Sequence, residues 1–215
     1  MIITIDGPSA SGKSSVAQKL AQQLNYIHIN SGFLYRAAAV LFLRQVQQNQ
    51  ELTKLKYIYN PATNLAQVYY LNEDLTPTLK TTQVSQMASM LSANPEIREI
   101  INQLQRDLVA ANPENSYIAD GRDCGSVVFP KANLKIFLTA NLQVRAERFR
   151  QDLIRKQLSQ LSIEKSLAEL QERDQRDQTR AVAPLIVPAG AFLIDSSALT
   201  LAQVVKKILV LIAKL

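Results

Sequence analysis

Eight residues, Gly7-Pro8-Ser9-Ala10-Ser11-Gly12-Lys13-Ser14, fit G-x-x-x-x-G-K-S/T without a gap and follow directly on an apolar run at 2–5. That spacing belongs to a phosphate cradle. The glycines let the backbone turn so that successive N–H groups converge on phosphate oxygens, with a helix N-terminus behind them. Val16, Leu20 and Leu24 continue with helical spacing, so the motif has a strand before it and a helix after it. Gly7, Pro8, Ser9, Ala10, Ser11, Gly12, Lys13, Ser14 and Ser15 are therefore the expected donor-phosphate site. Lys13 would reach the β- and γ-phosphates, and the Ser14 hydroxyl would ligate Mg²⁺.

Further polar residues cluster after other apolar runs. Asn30-Ser31-Gly32-Phe33-Leu34-Tyr35-Arg36 follows one at 26–29, and Asp120-Gly121-Arg122-Asp123 follows one at 117–119. Arg173, Arg176, Asp177 and Arg180 have spacings of three, four and seven, which place them on one helix face. Arg173 and Asp177 equally fit an exposed i,i+4 ion pair. The run Ala181-Val182-Ala183-Pro184-Leu185 breaks that helix and aims its end at one place.

Those groups need elements to hold them. Short apolar runs at 2–5, 26–29, 117–119, 134–138 and 192–194 read as buried parallel strands. Helical patterns at 33–48, 95–110, 142–158, 163–178 and 198–215 separate most of them. Strands alternating with helices predict a three-layer α/β architecture, a parallel sheet covered on both faces, with ligands beyond the carboxyl ends of the strands. Residues 51–92 interrupt the alternation. Tyr57, Tyr59, Tyr69 and Tyr70, with turn signals at Asn60-Pro61 and at 72–74, predict short antiparallel strands followed by a helix at 82–92. Such an insert either closes over a substrate or decorates the surface. The division expected is a core of 1–50, 93–144 and 179–215, an insert of 51–92, and a lid with flanking helices at 145–178.

Composition narrows the function classes. The 215 residues are 47% hydrophobic, enough for one large domain with a core. No stretch reaches the roughly 18 apolar residues of a membrane span. The first residues carry no basic leader pattern, so a signal peptide is not expected. One cysteine, Cys124, forms no internal disulfide and no zinc cluster. These features point to the cytoplasm and away from a membrane. A net charge of +6 suits nucleic acid, an anionic membrane or a phosphorylated small molecule. The arginines recur beside motif-like segments rather than in a tail, and no aromatic platform or helix-turn-helix signal accompanies them. A phosphate pocket is therefore expected, and no nucleic acid partner. His28, in a strand, and Cys124 read as packed residues.

Taken in order, Asp6-Gly7-Pro8-Ser9, Ser31-Gly32-x-x-Tyr35-Arg36, Asp120-Gly121-Arg122-Asp123-x-Gly125-x-Val127-Val128-Phe129-Pro130, Arg173-Asp174-x-Arg176-Asp177 and Arg180-Ala181-x-Ala183-Pro184-Leu185 closely resemble bacterial cytidylate kinase. The resemblance spans nearly the whole chain and is weakest at 52–80. It implies a nucleoside monophosphate kinase fold with an inserted nucleotide-binding subdomain and a helical lid. It also implies ATP-dependent phosphorylation of CMP and dCMP with Mg²⁺, by a monomer. The acceptor site implied is Ser31, Tyr35, Arg36, Ser89, Arg98, Asp120, Arg122, Asp123, Arg173, Asp177 and Arg180. Arg36, Arg122 and Arg180 would hold the acceptor phosphate and, with Lys13, serve the transfer. Asp123 and Arg98, helped by Ser89, would read cytosine. Arg173 and Asp177 would hold the ribose hydroxyls. Asp120 would help organise Mg²⁺ or its waters, or simply cap its strand.

The lid implied is 145–166, carrying Arg145, Arg148, Arg150, Arg155 and Lys156; the same charges fit a solvated helix. Two residues depart from the family pattern. Asn30 stands where many members carry Asp before Ser-Gly, and Thr139 where Asp often follows the fourth strand. Each removes a negative charge near the phosphates. Other readings of the same motifs are a kinase for UMP, AMP or shikimate, and a slowly hydrolysing nucleotide switch.

Overall fold

A computed structural model describes residues 1–46, 48–158 and 160–215. Its central sheet is parallel, in the order β2-β6-β1-β7-β8, built from β1 (Ile2–Asp6), β2 (Ile27–Asn30), β6 (Tyr117–Gly121), β7 (Leu134–Thr139) and β8 (Phe192–Asp195). Each strand lies within two residues of its sequence expectation, because buried parallel strands are near-continuous apolar runs. Ile3, Ile5, Ile136 and Leu138 are fully buried under α1 (Lys13–Leu24) and α7 (Leu201–Ile212), which contribute Val16, Leu20, Val204 and Ile208. Ile29, Tyr117, Ala119 and Phe129 form a second buried cluster.

The insert holds a separate antiparallel sheet of β3 (Leu55–Asn60), β4 (Leu65–Tyr70) and the two-residue β5 (Glu73–Asp74), followed by α3 (Thr82–Leu91). Its core is not its own. Leu52, Val68, Leu75, Leu79 and Val84 pack in one cluster with Leu34 and Leu41 of α2 (Ser31–Leu43) and Ile97 and Ile101 of α4 (Pro95–Ala110). The remaining helices, α5 (Leu142–Arg155) and α6 (Ile163–Thr179), lie side by side.

Three helices are shorter than their periodicity suggests. The pattern at 33–48 becomes α2, which starts earlier because the Asn30 side chain accepts from the Phe33 N–H at 3.1 Å, and which stops before Gln45, whose φ is 65°. Residue 47 of that expectation lies outside the described residues, as does residue 159 of the expected lid. The pattern at 198–215 becomes α7 because Thr200 and Gln203 form a capping box that fixes the first turn. The pattern at 142–158 ends at Arg155. Among the described residues no helix is long and apolar enough to cross a membrane.

The first strand delivers its loop over the sheet at close range. Gly7 has φ of 148°, and a Cβ there would sit 2.0 Å from the Leu138 carbonyl oxygen of β7. Backbone cannot retreat as a flexible side chain can, so Gly7→Ala should destabilise the chain by about 3 kcal/mol or more. Urea unfolding of the two proteins measures this difference; equal midpoints would show that the loop does not need this close approach.

Candidate active site

Asp6 closes β1 and is fully buried. Its two oxygens accept the backbone N–H groups of Cys124 and Gly125 at 2.8 and 2.7 Å. The loop after β6 is thereby tied to the strand that carries the phosphate loop. Burial pushes the Asp6 carboxyl up to about 6, although the two N–H bonds pull the other way. Within the phosphate loop, Lys13 Nζ donates to the Pro8 carbonyl at 2.6 Å and to Ser11 Oγ at 3.3 Å. Burial, reinforced by the charge of Arg122, holds the Lys13 ammonium well below its ordinary value.

Beside Lys13 runs a polar chain. Ser14 Oγ donates to Asp120 Oδ2 at 2.7 Å, and the Asn30 amide donates to Ser14 Oγ at 3.2 Å. The other Asp120 oxygen lies 2.6 Å from His28 Nε2, and the Ser31 hydroxyl donates to the Asp120 carbonyl at 2.9 Å. Burial alone would raise the Asp120 carboxyl; the hydrogen bond and charge of His28, with Ser14 and Lys13, outweigh it and leave the group below its usual value. Tyr57 from the insert completes the group by accepting the Asn30 N–H and donating to the His28 carbonyl.

Across the cleft, guanidinium groups crowd together. Arg98 is 1% exposed, pairs with Asp123, donates to the Ser92 carbonyl at 2.9 Å and lies over the Tyr35 ring. Arg122 donates to Asp177 at 2.7 Å and to Ser9 Oγ at 2.9 Å. Arg180 caps the end of α6, donating to the Ala183 carbonyl at 2.7 Å, with Asp123 and Asp177 at 3.9 and 3.7 Å. Among the described residues, Arg36 and Arg173 have no hydrogen-bond or ion-pair partner. Burial lowers Arg36 to about 10, with Asp120 opposing and Arg122 reinforcing. Burial and the charge of Arg122 lower Arg173 to about 10. Two buried cations with no direct hydrogen-bond or ion-pair partner, in a field where carboxylates do not offset burial, mark a site built for an anion.

Apart from Asp6 and Tyr57, the side chains of these groups line one cleft of about 1620 Å³ between the phosphate loop, the insert and α6. The sequence pattern of the family described as cytidylate kinase matches residues 3–214. The chain belongs to the cytidylate kinase family. A cytidylate kinase from Chlamydia caviae is 40% identical over 220 residues, covering 99% of this chain and 98% of that protein. One from Carboxydothermus hydrogenoformans is 37% identical over 223 residues, covering 100% and 98%. In fold, the chain is similar to a solved gluconokinase from Sinorhizobium meliloti, with TM-score 0.54, 16% identity, and coverage of 99% and 91%.

For this member of the cytidylate kinase family, the site residues expected from sequence gather with two exceptions. Gly7 and Pro8 do not line the cleft; they are buried beneath the loop. Asp177 departs from the i,i+4 alternative, since its partners are Arg122 and Arg180 rather than Arg173. Asn30 and Asp120 sit within the strand ends rather than past them. Arg176 donates to Ser89 Oγ of the cleft wall at 2.6 Å and pairs with Glu172. The five lid charges divide. Arg150 pairs with Glu147, and Arg155 and Lys156 with Asp152, as on a solvated helix. Arg148 instead donates to Ser196 at 3.0 and 2.7 Å, and Arg145 is buried. His28 and Cys124 are packed, as expected, though His28 also grips Asp120.

Three contributors were not singled out from sequence: Asp6 as the tie to the β6 loop, Asp174, and Arg145 as a buried group. Asp6 lies next to the motif, and Asp174 sits inside the Arg173-Asp174-x-Arg176-Asp177 run. Nothing in either position states which way the carboxylate faces.

Asp6 also makes a proton prediction. With a carboxyl near 3.8 when unfolded and about 6 when folded, its contribution to stability is complete below 3.8 and fades as pH rises through 6. Folding at pH 5 should therefore take up about 0.8 proton through this group. Calorimetry in buffers of different ionisation enthalpy reads that uptake. Asp6→Asn should abolish it; the same uptake in the variant would place the proton elsewhere.

Proposed function

We propose that the chain transfers the γ-phosphoryl group of ATP to CMP and dCMP, giving ADP with CDP or dCDP. An oxygen of the acceptor phosphate attacks the γ-phosphorus in line, the bond to the β–γ bridging oxygen breaks, and ADP leaves. The observation that supports this best is the unneutralised Arg36 and Arg173, set beside Arg122 and Arg180 and facing the phosphate loop. Phosphoryl transfer needs little covalent chemistry from a protein, so holding two anions in line and offsetting their repulsion accounts for most of the catalysis. Arg36, Arg122 and Arg180 take the acceptor phosphate. Guanidinium groups suit it because they bind oxyanions with two parallel N–H bonds and stay charged. Lys13 releases the Pro8 carbonyl and moves to the donor phosphates.

Base choice falls to Asp123 and Arg98. Their ion pair is buried, and Ser89 lies on the same cleft wall. A carboxylate accepts from the cytosine amino group, and an arginine donates to the adjacent ring acceptors. Uracil sets its carbonyl against the carboxylate. Arg173 and Asp177 hold the ribose. The structure also suits Mg²⁺. The Ser14 hydroxyl and the Asp120 carboxylate stand 2.7 Å apart as hard oxygen donors. Among the described residues no cluster of three or more metal-binding side chains is present. One carboxylate and one hydroxyl match a cation that keeps several waters and takes the rest of its ligands from phosphates. When bound, Mg²⁺ offsets charge on the donor phosphates. The reading includes a monomer acting on free nucleotides in the cytoplasm.

A panel of CMP, dCMP, UMP and AMP, assayed for ADP release with Mg·ATP, tests the proposal. CMP and dCMP should be preferred; a stronger response to UMP or AMP, or none to any acceptor, would overturn it. Asp123→Ala should lower the CMP/UMP ratio of kcat/KM by about 10-fold or more while ATP binding holds. Lys13→Ala should lower kcat by about 100-fold or more. An unchanged rate would remove the loop from the chemistry.

A further inference from the structure

Ser9 is gripped at all three of its polar groups by three different elements. Its backbone N–H donates to Asp174 Oδ1 at 3.0 Å, its carbonyl accepts from Arg145 at 3.0 Å, and its hydroxyl accepts from Arg122 at 2.9 Å. Arg145 and Asp174 also pair directly, and Arg145 Nε donates to the Ala140 carbonyl at 3.0 Å. Ser9, Asp174 and Arg145 are 3%, 7% and 8% exposed, so water cannot replace these partners cheaply. Asp174 is thus engaged with Ser9 and Arg145 and does not line the cleft.

Its place along α6 gives that frame a purpose. Asp174 follows Arg173 directly and precedes Asp177 by one helical turn, and Asp177 holds Arg122. One helix therefore carries the acceptor-side groups and, between them, the carboxylate that fixes the donor loop. We propose that Asp174 is a positioning residue: with Arg145 it sets the spacing and angle between the phosphate loop and the α6 groups that hold the acceptor. The inference rests on the acceptor-site reading above. In-line transfer falls off steeply when the two phosphates are misplaced by an ångström, even if each still binds. Loosening this register should therefore act on turnover and spare affinity. Mispositioned acceptor also leaves the γ-phosphate open to water, so ATP should be lost to hydrolysis.

The test is Asp174→Asn, which keeps an oxygen for the Ser9 N–H and removes the charge that Arg145 needs. Titration calorimetry should give ATP and CMP dissociation constants within about threefold of the parent, while kcat for CDP formation drops about 30-fold. ADP formed per CDP should rise above one. A parent-like kcat and ratio would overturn the proposal. So would a fall in kcat matched by equal losses of both affinities, which is what a merely structural role gives. If thermal unfolding shows that Asp174→Asn does not fold, Arg145→Lys, which keeps the charge but loses the bond to Ala140 and the paired geometry, is read by the same criteria. Failure of the parent itself to phosphorylate CMP would strike the acceptor reading instead, and would show before any variant was made.

Discussion

Positive charge outnumbers negative charge around one cleft, and the rest of the molecule is arranged around that imbalance. Lys13, Arg36, Arg98, Arg122, Arg173 and Arg180 share it with Asp120, Asp123 and Asp177. Burial and mutual repulsion already weaken the hold of Lys13, Arg36 and Arg173 on their protons. The cleft therefore favours an anion, which offsets the repulsion among these cations. A second anion relieves it further, provided the first has not satisfied every cation. Arranging the guanidinium groups from four separate elements, α2, α4, the β6 loop and α6, keeps some for each.

The carboxylates do not cancel this field so much as aim it. Asp123 holds Arg98, and Asp177 holds Arg122 with Arg180 nearby. Asp120 orients Ser14 and is itself held by His28. Asp6 spends both oxygens on backbone N–H groups and fixes the β6 loop on which Arg122, Asp123 and Cys124 ride. Each acid is already engaged by hydrogen bonds, so it restrains a donor without offering a free negative surface to the incoming phosphates. A carboxylate that faced the cleft unpaired would repel the substrate that the arginines attract.

Much of this was legible in the chain, for physical reasons that also mark where legibility ended. Buried parallel strands are apolar throughout, so the runs at 2–5 and 134–138 announced themselves. The phosphate loop carries its chemistry in its own backbone, and its spacing is therefore visible in the letters Gly7, Gly12 and Lys13. Helix ends were harder. They depend on caps such as Thr200–Gln203 and on a left-handed residue such as Gln45, not on the apolar period. Among the acids, sequence could list Asp123 and Asp177 through a family pattern but could not say that Asp177 turns to Arg122 instead of its helical neighbour Arg173. Arg145 was least visible. On a helix rich in exposed charge pairs it reads like Arg150 or Arg155, and only the approach of α6 and the phosphate loop buries it.

Asn30 and Thr139 stand at two strand ends and serve them without a carboxylate. Asn30 Oδ1 accepts the Phe33 N–H at the start of α2, which fixes the amide and points its NH₂ at Ser14 Oγ. With one lone pair taken, the Ser14 proton is directed to Asp120. An aspartate in this place would cap α2 equally well, but would compete with Asp120 for that proton and add a charge beside it. Thr139 keeps the backbone service of its strand end, where its carbonyl accepts the Ser196 N–H at 2.8 Å, without contributing a carboxylate. Asn30 therefore caps α2 and orients Ser14 without adding negative charge beside Asp120. Asp120, braced by His28, is the carboxylate through which Ser14 is oriented. The Asp120 side chain is held in turn by His28 and Ser14, and its carbonyl by Ser31 at the start of α2.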